Sequence, residues 1–295
     1  MKKQASDKPK KSSSPEKALV LYSGGLDSRL VVRLLQEEGL EVEALYFALP
    51  FGCGCCDVGC NLKFTQLGGA KMTIFDVNKE PLLSEYLDLI KNPKHGTGAG
   101  INPCKDCKIF MFKKAKEYAD KHKIKIIATG EVLGQRPMSQ TGRAMSIIDK
   151  EIGFEIRRPL IELGIKGRGR KRQMALAEKF KITYPSPGGG CFLCEKAPAN
   201  RIRTLLEKGL VNEKTLSLTM IGRHFMINDV WMVVARDAKE SALISKFKTI
   251  IPDAKGKPAI YLSDMKGEKN ALGLQEAYST GENDEERDKF ASVKL

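Results

Sequence analysis

The sequence predicts an α/β fold: a parallel sheet with helices on both faces, followed by a small C-terminal α+β domain. Three features predict it. Between residues 17 and 195, short apolar runs alternate with segments of helical periodicity, the pattern of βαβ units. A glycine-rich turn stands between the first apolar run and the first helical segment. After Ala197 the alternation gives way to closely spaced strand-like runs.

Taken in order, Lys17 to Tyr22 (KALVLY) reads as a short buried strand. Arg29 to Glu38 follows with leucines and valines at helical spacing, and Gly39 suits its C-terminal cap. Glu41 to Phe47, Lys71 to Val77 and Lys125 to Thr129 read as the second, third and fourth strands, with a long helix over Lys105 to His122. Right-handed crossovers bring the C-terminal ends of such strands to one edge, where ligands bind. A further helix covers Gln173 to Lys179, and Pro185 to Gly190 punctuates the chain. Two short strand-like runs flank Gly222–Arg223–His224–Phe225 within Leu216 to Ala235. The domain reading is therefore a disordered basic tail over 1–16, a large domain over 17–195, a small one over 196–265 and a polar tail over 266–295.

Composition narrows the function classes. The 295 residues are 42% hydrophobic and 29% charged, as in globular chains. No apolar run approaches the ~20 residues of a membrane helix, and the Lys- and Ser-rich N-terminus has no apolar core of a secretory signal. A cytoplasmic location without membrane partners is expected. The net charge of +14 suits either a polyanionic partner or a generic basic surface. The eight cysteines group as Cys53, Cys55, Cys56 and Cys60; Cys104 and Cys107; and Cys191 and Cys194. Without a signal peptide, such groups point to metal or redox chemistry rather than disulfides.

The strongest motif is Ser23–Gly24–Gly25–Leu26–Asp27–Ser28, directly after the first strand and opening the first helix. Glycines let the backbone approach a pyrophosphate, and free N–H groups at a helix start hold the anion. Ser23 and Ser28 add hydroxyl donors, and Asp27 is placed to hold Mg²⁺ beside the phosphates. A capped glycine turn is the plain alternative. The motif SGGLDS resembles the PP-loop of the ATP pyrophosphatases, a HUP-like fold, and is not a Walker A loop. The resemblance implies ATP cleaved between its α and β phosphates and an adenylated substrate. It also implies adenine near Tyr46 and Phe47, with Gly130 and Arg158 as later elements of the site.

The second group of motifs concerns sulfur. Asn102–Pro103–Cys104–Lys105–Asp106–Cys107 opens the long helix, whose dipole is expected to lower both thiol pKa values. Gly190–Cys191–Phe192–Leu193–Cys194 supplies another C-x-x-C, and the residues alone also allow a four-cysteine zinc site. NPCKDC, GEVLGQRPMSQ and GGGC together resemble the tRNA thiolation branch of the PP-loop group, the 2-thiouridine and 4-thiouridine synthases and their thiouridylase-like relatives, over about residues 17 to 195. The resemblance implies a 4Fe–4S cluster on Cys104, Cys107 and Cys191, with one iron open to carry sulfide, and tRNA as substrate. Cys194 departs from that pattern, as a fourth ligand, a persulfide carrier or a bystander. A cluster-free version of the group works by persulfide and disulfide. The Cys53–Cys60 group lies outside the pattern: a second metal, sulfur storage, a zinc knot and free thiols all fit it.

Arg136 and Arg143 flank a polar turn, and Lys166, Arg168, Arg170, Lys171 and Arg172 form a dense basic run. Such patches grip RNA phosphates, though solvated charge runs are common. Ile221 to Phe225 resembles a domain fused to these enzymes and proposed to bind RNA; His224 is read there as packing or phosphate contact rather than as a base. The function expected is ATP-dependent tRNA uridine thiolation by a sulfurtransferase, with ATP, Mg²⁺ and an iron–sulfur cluster as cofactors. Its sulfur donor is sulfide or a persulfide-carrying protein. The rivals are a PP-loop ligase or amidating enzyme acting on a small molecule with structural cysteines, and a non-catalytic RNA-binding protein.

Overall fold

The computed structural model describes residues 15–51, 68–96, 98, 100–186, 190–279 and 284–295. The chain forms two compact units. The described residues of the first are 15–47, 68–75 and 108–186; those of the second fall within 48–51, 76–107 and 190–295. These units do not follow the linear division at residue 195, because the chain leaves the first unit at Asp76 and returns at Lys108.

The first unit holds a four-stranded parallel sheet in the order β3–β2–β1–β4. Its strands are β1 (Lys17–Leu21), β2 (Glu41–Ala48), β3 (Lys71–Asp76) and β4 (Ile126–Thr129). β1 pairs in parallel with β2, Leu19 opposite Glu43, and with β4, Leu19 opposite Ile127. Alternation along the strands sends two sets of side chains to opposite faces. On one face Ala18, Val20, Val42, Ala44 and Ala128 pack with Leu30, Val31 and Leu35 of α1 (Leu26–Glu37) and Ala177 of a later helix. On the other, Glu43 accepts hydrogen bonds from Thr73 Oγ1 at 2.6 Å and from Tyr118 of α3 (Cys104–Lys121). Helices therefore cover both faces, as predicted. Three helices complete the unit: α4 (Gly142–Ile152), the short α5 (Pro159–Glu162) and α6 (Lys171–Lys179). Both α1 and α6 begin earlier than their apolar periodicity indicates, since Asp27 and Ser28 interrupt it in α1 and Lys171 and Arg172 open α6.

The second unit contains α2 (Leu82–Lys91), the first turn of α3, a 3-10 turn at Phe192–Cys194 and α7 (Lys196–Glu207). It also holds an antiparallel sheet in the order β5–β6–β8–β7. Those strands are β5 (Arg223–Ile227), β6 (Val230–Val234), β7 (Ile250–Ile251) and β8 (Ile260–Leu262), with α8 (Ala238–Ile244) between β6 and β7. Two expectations change here. Arg223 to Phe225 begins a strand rather than separating two, and Leu216–Met220 is a 3-10 turn. The stretch read as a polar tail contributes α9 (Glu268–Ala277), whose Ala271 and Leu274 are buried in the core under the sheet, and α10 (Asp284–Asp288). Its apolar residues are few, but Ala271, Leu274 and Ala277 are buried together while Leu272 is exposed, which is enough to dock it. His224 is core: Trp231 Nε1 donates to its Nδ1 at 3.1 Å, and burial beside Arg201 lowers its pKa to about 3. No helix among the described residues is long and apolar enough to cross a membrane.

Candidate functional sites

In the first unit the turn between β1 and α1 is held in shape by its own polar groups. Ser28 Oγ donates to Gly25 O at 2.9 Å and accepts from Ser23 N at 3.3 Å and Ser23 Oγ at 3.4 Å. Arg29, only 2% exposed, donates from Nε to Gly24 O at 2.6 Å. Gly24 has φ +78°, a conformation that disfavours any side chain. Gly25 has φ −74°, so its lack of a side chain leaves space rather than relieving strain. The first N–H groups of α1 have no helical acceptor and face whatever binds this turn.

Asp27 lies within this cradle. Gln135 Nε2 donates to its Oδ2 at 3.0 Å, while Oδ1 is buried without a hydrogen-bond partner. Burial raises the Asp27 pKa, against the hydrogen bond from Gln135 and the positive charge of Arg170 and Arg136. A buried carboxylate oxygen without a donor is a fitting cation ligand, and the carboxylate suits a hard ion such as Mg²⁺. Gly130, just past β4, is packed against the same turn. A Cβ placed there would lie 2.7 Å from both the Asp27 carbonyl carbon and Ser28 N. Backbone on both sides cannot yield as a side-chain tip can, so Gly130→Ala should lower stability by about 1–3 kcal/mol. ATP-induced thermal stabilisation should disappear with it, and an unchanged thermal response to ATP would contradict this packing argument.

Arg158 is drawn into an ion network beside this turn. Glu131, 1% exposed, accepts from Lys108 Nζ at 2.7 Å and Arg158 Nε at 3.1 Å; Arg158 also bonds Asp149 at 3.1 and 2.5 Å. Its guanidinium is thus occupied by two carboxylates. Phe47 packs edge-on against Phe75 at 5.3 Å, and Tyr46 beside it is half-buried. Arg172 is likewise committed, donating to Leu163 O and Gly164 O at the end of α5. Arg136, Arg143, Lys166, Arg168 and Lys171 are exposed, and Arg170 lies over the Tyr184 ring. Lys166 bridges Leu133, which brings the basic run beside the turn that carries Gln135 and Arg136.

The second unit gathers the two C-x-x-C motifs. Asn102 N donates to Leu193 O at 2.9 Å, and a Cβ on Gly100 would meet that same oxygen at 2.6 Å, so the two backbones touch. Cys104 Sγ lies 3.8 Å from Cys194 Sγ. Cys191 Sγ donates to Phe51 O at 3.1 Å, and Cys107 Sγ is 3.4 Å from the hydroxyl of the fully buried Tyr86. The expected lowering of the Cys104 pKa by the helix dipole is overturned. Burial, with Cys194 alongside, raises it to about 12, and burial raises Cys191 likewise to about 12. Desolvation and neighbouring sulfurs outweigh a dipole that is worth only a fraction of a charge. Among the described residues no three His, Cys, Asp or Glu side chains are already drawn together as a metal site. The donor set itself, four thiols able to deprotonate onto a cation, fits thiolate-bound iron. Cys53, Cys55, Cys56 and Cys60 lie outside the described residues.

The sequence model of the family described as thiamine biosynthesis protein (ThiI) matches residues 13–198. The chain belongs to the ThiI family. The match bears out the resemblance to the thiolation branch of the PP-loop group carried by SGGLDS and NPCKDC. Among relatives of this ThiI-family chain, a probable tRNA sulfurtransferase of Finegoldia magna is 32% identical over 151 residues, 50% of this chain and 36% of that protein. The tRNA sulfurtransferase of Psychromonas ingrahamii is 31% identical over 151 residues, 50% of this chain and 29% of that one. A probable tRNA sulfurtransferase of Thermoanaerobacter sp. is 32% identical over 174 residues, 56% of this chain and 40% of that one. The chain thus spans well under half the length of these relatives. Sequence reasoning missed Arg29, Tyr86 and Gln135. Gln135 stood inside a quoted motif, whereas no local signal distinguishes the other two.

Proposed function

We propose that this chain is an ATP-dependent tRNA uridine sulfurtransferase. The observation that carries the reading is a pairing within one ThiI-family chain: a glycine-rich turn with a buried, incompletely bonded Asp27, and two C-x-x-C motifs, Cys104/Cys107 and Cys191/Cys194, brought into contact at Cys104 and Cys194. Neither feature alone implies sulfur transfer to RNA; a nucleotide site beside no thiols would fit a ligase.

The N–H groups and the Ser23 and Ser28 hydroxyls bind the phosphates of ATP, and Asp27 holds the Mg²⁺ that neutralises their charge. A uridine carbonyl oxygen attacks the α phosphorus and pyrophosphate leaves, so the oxygen departs later as part of AMP. Donors already fixed in the turn stabilise charge developing on the phosphate without reorganising. Exposed Arg136, Arg143, Lys166, Arg168 and Lys171 supply phosphate contacts for tRNA. Cys104, Cys107 and Cys191 would hold a 4Fe–4S cluster, which when bound supplies an iron site for sulfide. The Sγ contact between Cys104 and Cys194 favours a second reading for the sulfur step. A persulfide donated to one of them attacks the activated carbon through its outer sulfur; the other thiolate then displaces that sulfur by forming a Cys104–Cys194 disulfide, reset by a dithiol reductant. Atoms and electrons balance, since the transferred sulfur is reduced as the two thiols are oxidised.

The test is nucleoside mass spectrometry on unmodified tRNA incubated with ATP, Mg²⁺, a sulfur source and anaerobically prepared protein. A thiouridine that requires ATP and is lost in Cys191→Ala supports the reading. Cys194→Ala separates the two sulfur routes: it should abolish the persulfide route and leave a three-thiolate cluster active. Pyrophosphate release with a small acceptor, and no thionucleoside from any tRNA, would overturn the proposal in favour of a ligase.

A further inference from the structure

The peptide joining Gly24 to Gly25 has a glycine on either side, so little steric hindrance opposes a flip of its plane. Its two polar groups are tied together. The amide is trans and planar, so the Gly24 carbonyl and the Gly25 N–H point in opposite directions. Whatever fixes the carbonyl therefore aims the N–H. Arg29 fixes it: Nε donates to Gly24 O at 2.6 Å from a side chain that is 2% exposed. The carbonyl is drawn inward, where Gly24 is buried, and the N–H belongs to the partly exposed Gly25. Among the described residues that N–H has no acceptor. The other bonds of the turn hold its neighbours instead. Ser28 Oγ donates to Gly25 O, on the next peptide, and accepts from Ser23, on the peptide before. A flipped plane would turn the Gly24 oxygen toward a bound anion in place of the N–H. Arg29 is the fourth residue of α1, and the helix dipole disfavours a cation in a first turn. Its presence there needs a specific reason, and the bond to Gly24 O supplies one.

We propose that Arg29 is a positioning residue that locks the Gly24–Gly25 peptide, so that the Gly25 N–H faces the phosphates of a bound nucleotide. The proposal rests on the ATP-binding reading above.

The test compares two variants of the full chain, Arg29→Gln and Arg29→Met. Both remove the charge, and both side chains reach the position of Nε. Glutamine places an N–H donor there and methionine a methyl group. The readout is the Gly25 amide resonance in protein carrying isotopically labelled glycine, assigned by its loss in Gly25→Ala and titrated with inorganic pyrophosphate and with ATP and Mg²⁺. In the parent and in Arg29→Gln the resonance should move, with affinities within about threefold of each other, whereas in Arg29→Met it should stay in place and affinity should fall about tenfold, the worth of one hydrogen bond to a charged group. Both variants should keep the parent's affinity for tRNA, which a disordered unit would lose. Equal losses in the two variants would mean that Arg29 acts through charge or packing, and would overturn the proposal. If Arg29→Met does not fold, Arg29→Gln decides: a folded protein that keeps the Gly25 response supports the lock, and one that loses it overturns it. A parent whose Gly25 resonance moves with neither ligand means that the nucleotide-site reading has failed. A parent that responds, beside an Arg29→Met variant that responds equally, means that only the lock has failed.

Discussion

Replacing Asp27 with asparagine is expected to slow ATP-dependent pyrophosphate release by about 10²–10³-fold, the loss seen when one preorganised electrostatic group is removed from a reacting centre. The substitution keeps the volume and one acceptor oxygen, so Gln135 retains a partner and the turn retains its shape. What disappears is the negative charge that we propose holds the cation. The effect on the unliganded fold should run the other way. Burial raises the Asp27 pKa above its unfolded value, so its contribution to stability is present at low pH and lost as pH rises through the folded value. At pH 7 the ionised carboxylate therefore weakens the empty fold, and Asp27→Asn should melt at an equal or higher temperature. Pyrophosphate release assayed beside thermal unfolding checks both arms. Activity within threefold of the parent would remove Asp27 from the chemistry.

Removing Glu131 is expected to be the most damaging single change to stability in the first unit. Its carboxylate is 1% exposed and shared between Lys108 and Arg158, themselves largely buried. Glu131→Ala leaves two buried cations without their common partner, a defect that typically costs about 3–5 kcal/mol. Asp149 can retain Arg158, but Lys108 has no comparable substitute in this network. Burial alone would raise the Glu131 pKa; Lys108 and Arg158 outweigh it, and the net direction is down. A lowered folded pKa contributes stability above the unfolded value of about 4.3, and that stability is lost as pH falls through the folded value. The parent should therefore lose this stability only as pH falls below about 4.3, and Glu131→Gln should lack this component while starting lower at pH 7. Urea unfolding at pH 7 and at stepwise lower pH measures it. A loss below 1 kcal/mol for Glu131→Ala at pH 7 would contradict the network's weight.

The thiol cluster illustrates why local rules failed where they did. A helix start favours thiolates in isolation, and Cys104 stands at such a start. The rule lost because Cys194, ninety positions away in sequence, lies 3.8 Å from it, and because the motif is buried. No window of sequence contains either fact. Nor does any window show that Arg158 pairs with Glu131 and Asp149, or that Arg172 caps α5. The C-terminal stretch failed for a different reason: its charged composition hid the single apolar stripe that docks α9.

What the sequence by itself determined is the part governed by short-range pattern. Strand alternation, helical period and the glycines at a strand-to-helix turn specified the parallel sheet, both of its covered faces and the position of the SGGLDS turn. SGGLDS and NPCKDC were enough to indicate the family. Only the tertiary structure decided which groups meet: Arg29 with Gly24, Gln135 with Asp27, Glu131 with Lys108 and Arg158, Cys104 with Cys194. The reason is physical. Periodicity reflects which face of an element avoids water, a property of neighbours along the chain. Desolvation, ion pairing and sulfur proximity depend on distances closed by folding, between residues that no local spacing relates.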